Sequence, residues 1–70
     1  MRELKFKENL RFFRLRAKLY QSDIAKIVNV DARTVSAWER GKCQPSLEVI
    51  TQLCDIFDET ADSLLFDEYK

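Results

Sequence analysis

Apolar positions along the chain recur at helical spacing. Phe6, Leu10, Phe13 and Ala17 fall at i, i+4, i+7 and i+11, one stripe of a first helix. Gln21 to Val28 reads as a short second helix in which Ile24, Ala25, Ile27 and Val28 are apolar. Asn29 interrupts it, a residue type that tolerates the left-handed conformation at a helix end. Asp31 is placed to cap a third helix running to about Arg40. Gly41, the only glycine, follows where a left-handed residue closes a helix. Lys42-Cys43-Gln44-Pro45 reads as loop, and Ser46 caps a fourth helix with the stripe Leu47, Ile50, Leu53, Cys54 and Phe57. That helix ends at Asp58 or Glu59. Thr60 caps a last short helix containing Leu64 and Leu65, after which an acidic tail over 66–70 is expected to fray.

The pattern predicts an all-α, compact five-helix fold forming one domain over residues 1–70. The expected core is Phe6, Leu10, Phe13, Ile24, Ala25, Val28, Val30, Val35, Trp38, Leu47, Ile50, Leu53, Phe57 and Leu64. Residues 21–40 hold two short helices joined by a tight turn. Ile24, Val28, Val30, Val35 and Trp38 face inward there, and Ala25 sits where the helices cross. A larger side chain at that crossing would push the second helix off the first. This is the logic of a helix-turn-helix, in which one helix positions the next for the major groove.

Three runs make the pattern more specific: Gln21-Ser22-Asp23-Ile24-Ala25, Val30-Asp31-Ala32-Arg33-Thr34-Val35-Ser36-Ala37-Trp38-Glu39-Arg40-Gly41-Lys42, and Pro45-Ser46-Leu47-Glu48. With them the chain resembles the lambda-repressor/Cro-type (XRE-type) helix-turn-helix domains from about Phe6 to Leu65. The resemblance implies a lambda-repressor-like bundle with the third helix as the reader of double-stranded DNA. It also implies a structural ion pair between Arg14 and Glu39. The chain departs from the family at Lys18, where Gly is common, and at Tyr20, where Ser or Thr is common. Asn29 stands in place of the usual turn Gly, and Glu59 where an apolar residue is common.

The first residues of the third helix enter the groove under this resemblance, so Ala32, Arg33, Ser36 and Ala37 are the expected base contacts. Arg33 can fork to guanine O6 and N7, and alanine methyls can touch a thymine methyl. Against this, Arg33 can serve a phosphate and the alanines can be plain exposed helix formers. Gln21, Thr34, Arg40 and Lys42 are the expected phosphate contacts. Gln44 reads better as an ordinary surface residue.

Charge sharpens the picture. The formal net charge is zero, yet residues 1–42 carry eleven Lys/Arg against five Asp/Glu, a net of +6, and residues 43–70 carry one against seven, a net of −6. A basic front and an acidic back suit a polyanion on one side and solvent or a partner on the other. The acidic half also carries Ile56, Phe57, Leu65 and Phe66, the expected anchors of a small homodimer interface. One such domain neutralises few phosphates, so two half-sites of a palindromic operator are expected. Phe12 and Leu15 add apolar surface to the first helix, covered either by the last helix or by a partner.

The alternative is a protein-interaction module, such as an antitoxin or anti-repressor on the same fold. An enzyme is not expected: with no His, no nucleophile-and-base pairing and no phosphate-cradling glycine loop, no reaction class assembles. No cofactor, metal or small-molecule ligand is expected. Cys43 and Cys54 form no C-x-x-C pair, and read as an exposed loop thiol and a small core residue. The charged N-terminus has no apolar leader and no apolar run approaches a membrane span, so a cytoplasmic protein is expected.

Overall fold

The computed structural model describes residues 2–69. Five helices lie among them: α1 (Phe6–Arg16), α2 (Gln21–Val28), α3 (Ala32–Glu39), α4 (Leu47–Phe57) and α5 (Ala61–Phe66). α2 and α3 pack most closely on each other, α1 lies against α3 and α5, and α4 joins α5 to α2. Phe6, Leu10 and Phe13 from α1 meet Ile24, Ala25, Val28, Val35, Trp38, Ile50, Leu53, Phe57 and Leu64 in one core. The Phe13 and Phe57 rings stack at 5.6 Å. Each such buried side chain contributes about 1.5–3 kcal/mol against roughly 1 for a helix cap, so packing dominates and the caps set where elements begin.

The caps are local chemistry. Asp31 accepts from the Arg33 amide at 2.8 Å, Ser46 from the Val49 amide at 3.3 Å and Thr60 from the Ser63 amide at 3.0 Å. α2 lacks a side-chain cap at Tyr20; the Asp23 carboxylate instead reaches back to the Tyr20 amide at 2.7 Å. α1 closes through Lys18 at φ 59°, with the Leu19 amide returning to the Arg14 carbonyl and the Lys18 amide to that of Leu15, both at 3.0 Å. Gly41 closes α3 in the same manner at φ 73°. Asn29 at φ 60° makes the tight turn between α2 and α3, and Asp58 at φ 55° ends α4.

Several expectations need correction. Leu47, assigned to the core, is 82% exposed: it is the first residue of α4 and projects before the helix reaches the bundle. Val30 is half-buried, in the turn at the rim of the core. Ala17 is the exposed residue capping α1, not part of its buried stripe. Phe66 belongs to α5 and not to the tail.

The tail does not fray through residue 69. The Tyr69 ring stacks on Phe12 at 5.1 Å and meets Phe13 edge-on at 4.6 Å, and its hydroxyl is hydrogen-bonded to Ser63. The sequence pattern also missed buried Asn9. Its carboxamide donates to the carbonyls of Leu64 and Asp67 at 2.9 and 2.7 Å.

Candidate nucleic-acid interface

Val35 and Trp38, three positions apart, pin α3 to the core, and Ala25 gives the close crossing from α2. The other side of α3 is turned outward. Arg33 is its most projecting group, with 93% of the side chain accessible. Ser36 and Ala37 are half-exposed, and Ala32 packs partly against the core, leaving less of its methyl available. No residue on this face is larger than Thr34 apart from the two arginines, so the helix can approach a groove floor closely.

An ion pair fixes the tilt of α3. Arg14 Nε and Nη2 donate to the two carboxylate oxygens of Glu39 at 2.6 and 3.1 Å. Arg14 Nη1 also donates to the Leu19 carbonyl at 2.9 Å, and Gln21 Nε2 donates to Glu39 at 3.3 Å. Both charged side chains are nearly buried. The hydrogen bonds to Glu39 raise the Arg14 pKa above its ordinary value, against the opposing effect of burial. This two-pronged geometry holds α1, α2 and α3 in one orientation; its main effect is on register rather than on stability.

Asp31 does two things at once. Besides capping α3 it accepts from the Arg33 side chain, Nε to Oδ1 at 3.2 Å. That hydrogen bond, first among its causes, lowers the Asp31 pKa and raises that of Arg33. The pairing was not read from the sequence, although the two-residue spacing permits it. It parks the Arg33 guanidinium beside the start of α3. Arg40 folds back in a similar way, its Nε 3.3 Å from both the carbonyl and the hydroxyl of Ser36.

Gln21 and Thr34 are half-exposed, and Lys42 is exposed in the loop after α3. Lys7 from α1 lies over that loop, its Cδ 2.9 Å from where a side chain at Gly41 would begin; that exposed stem can shift, so it is the left-handed turn at φ 73° that calls for glycine. Of the four expected interface anchors, Phe57 is withdrawn: it is buried on Phe13 in the chain's own core. Ile56, Leu65 and Phe66 keep partly exposed edges, and the Arg2 guanidinium sits 4.2 Å over the Phe66 ring. Among the described residues, no three His, Cys, Asp or Glu side chains come together as a metal site, and no helix is long and apolar enough to cross a membrane.

Comparison with known proteins agrees with this geometry. A helix-turn-helix family profile matches residues 10–64. The chain is 35% identical over 51 residues to an uncharacterized HTH-type transcriptional regulator of Methanocaldococcus jannaschii, covering 73% of this chain and 77% of that one. Its fold is similar to that of a transcriptional regulator from Listeria innocua, with a TM-score of 0.88 and 28% identity. That similarity covers 97% of this chain, which spans 64% of the Listeria protein. It is also similar to the P22 c2 repressor solved in complex with a synthetic operator, with a TM-score of 0.80, 30% identity, and 86% and 91% of the two chains covered. The chain belongs to the lambda-repressor/Cro-type helix-turn-helix family of DNA-binding transcriptional regulators.

Proposed function

We propose that this chain is a transcriptional repressor that binds a specific duplex operator with α3 in the major groove. The observation that carries it is the presentation of α3. The helix is locked from behind by Val35, Trp38 and the Arg14–Glu39 pair, and offers a face of small side chains around one almost fully exposed arginine. Arg33, Ser36 and Ala37 contact base edges, with Ala32 at the margin, while Gln21, Thr34, Arg40 and Lys42 hold the backbone. Arg33 leaves Asp31 for a base; the exposed pair is weak and screened, so the exchange is easy. The setting is cytoplasmic, where such an operator would lie.

Two copies bind a palindromic operator, their mutual contact formed by the edges of Ile56, Leu65 and Phe66. Such an interface is small, so self-association is weak alone and strengthened when both half-sites are filled. Ile56→Asp should weaken binding to the full palindrome while leaving binding to a half-site unchanged.

Selection on random duplex DNA, followed by titration across salt, tests the whole reading. A two-fold symmetric consensus and a steep loss of affinity with salt are expected. Binding that ignores salt, or a selection that returns no consensus, overturns it. The competing reading, a protein-interaction module, would give that second outcome.

A further inference from the structure

We infer that the groove between α1 and the C-terminal end of α3 docks an acidic segment of a partner protein bearing a large apolar anchor. The groove is open to solvent, offers about 500 Å³, and is lined by Lys7, Glu8, Arg11, Phe12 and Leu15 of α1 with Glu39 and Arg40. Its two halves differ in chemistry. Leu15 is 53% exposed and Phe12 keeps one half-open edge, so the floor offers apolar surface to a large side chain. Lys7, Arg11 and Arg40 supply the rim.

The charges on that rim are unspent. Arg2, Lys5, Arg14, Arg16 and Arg33 each have a carboxylate within 4.0 Å. Among the described residues, Lys7, Arg11 and Arg40 have none; Lys18, Lys26 and Lys42 have none either, but they do not line this groove. Of the two carboxylates in the groove, Glu39 is already committed to Arg14. Three cations therefore face Glu8 alone. An apolar floor inside a cationic rim fits an apolar side chain flanked by carboxylates.

Two other occupants fit less well. A DNA backbone could use the cations, but its phosphates and sugars have nothing large and apolar to place on Leu15 and Phe12. A second copy lacks the right shape. Across its acidic stretch 55–69, the large apolar side chains are buried or half-buried and offer edges, and its projecting Leu47 has a single acid, Glu48, within three positions rather than flanking carboxylates. Lys7 and Arg40 border the loop and helix assigned above to the operator. A segment seated here takes Arg40 from the DNA, so partner and operator compete. The competition rests on that DNA reading; the docking does not.

The test selects peptides of about twelve residues from a random displayed library on the whole chain, and titrates an enriched, labelled peptide by anisotropy. Enriched sequences should carry a large apolar residue flanked by Asp or Glu. Leu15→Asp and Arg11→Glu should each weaken the peptide about tenfold or more, with Lys26→Glu as an inert control and circular dichroism showing each variant folded. Leu15→Asp should bind a selected operator duplex within about twofold of the parent, and the bound peptide should be displaced by that duplex. A selection without consensus, or peptides indifferent to both variants, overturns the inference. So does an Arg11→Glu variant whose only effect is a flatter salt dependence on DNA, which would give the rim to the operator. Self-association abolished by Leu15→Asp would instead name a second copy as occupant and overturn it too. If the peptide binds as described but no duplex does, the docking site stands and the repressor reading fails.

Discussion

The carboxamide nitrogen of Asn9 lies 2.7 Å from the carbonyl oxygen of Asp67, fifty-eight positions along the chain. Its second hydrogen goes to the Leu64 carbonyl at 2.9 Å. These carbonyls belong to the end of α5, where no helical amide remains to reach them. A side chain from α1 thus closes the last helix, and the Lys5 amide adds a bond to the Leu65 carbonyl at 2.7 Å. Asn9→Ala should cost about 1–3 kcal/mol, because it leaves buried acceptors unpaired. Asn9→Asp should cost more, since a carboxylate would face carbonyl oxygens. Urea denaturation reads both, and amide exchange should show the loss concentrated in residues 61–69.

The Arg14–Glu39 pair leads to an asymmetric expectation. Glu39→Ala alone strands a nearly buried guanidinium and should cost about 3 kcal/mol, enough to unfold much of so small a domain. Arg14→Met combined with Glu39→Leu should recover most of that loss, because an apolar pair of similar volume carries no desolvation penalty. Near-parental stability of Glu39→Ala in a thermal melt would mean that the pair is not what fixes α3.

Lys18 carries a side chain at φ 59°, a conformation that glycine enters without steric cost. Lys18→Gly should therefore stabilise the chain by about 0.5–1 kcal/mol, after the greater freedom of glycine in the unfolded state is subtracted. A rise in the urea midpoint at unchanged slope is the expected signal.

Burial pushes the Cys54 thiol above the ordinary range, with the Asp55 carboxylate adding to the shift. The folded chain then holds that proton more tightly than the unfolded chain. Stability is intact below the ordinary thiol pKa and falls as pH rises through the raised one. Alkylation in mild alkali should mark exposed Cys43 first and half-buried Cys54 more slowly, with the Cys54 rate rising as the chain opens. Mass spectrometry during a denaturant series should separate the two.

Much of this architecture was legible because short-range rules act alone at the element ends. Asp31, Ser46, Thr60, Asn29 and Gly41 stand where the caps and left-handed residues are found. Stripes at helical spacing gave most of the core for the same reason. Leu47 defeated the rule because periodicity says which face a residue occupies, not whether the bundle extends to that turn. Asn9 was hidden because its partners are backbone atoms more than fifty residues away, and carbonyls leave no trace in residue type. Tyr69 was read as part of a charged tail, although Phe12 on α1 was already asking for cover. On the DNA side, the positions facing outward on α3 could be read, but the folding of Arg33 onto Asp31 depends on rotamers.

Arg33 and Lys42 should play separable roles on the operator. Arg33 projects from the start of α3 and Lys42 from the loop behind it. If Arg33 forks to a base, Arg33→Ala weakens the selected operator by about 1–3 kcal/mol and relaxes preference at one position of each half-site. Non-specific duplex should be affected less, because only the phosphate share of the interaction remains there. Lys42→Ala should weaken all sequences alike and reduce the salt slope by about one unit per bound chain. Asp31→Asn frees Arg33 from its partner but also removes the charge of the helix cap. It should therefore lower stability slightly while leaving the preferred sequence unchanged. Repeating the selection with each variant reads these outcomes directly. An unaltered consensus with Arg33→Ala would reassign that arginine to the backbone and leave Ser36 and Ala37 as the readers of sequence.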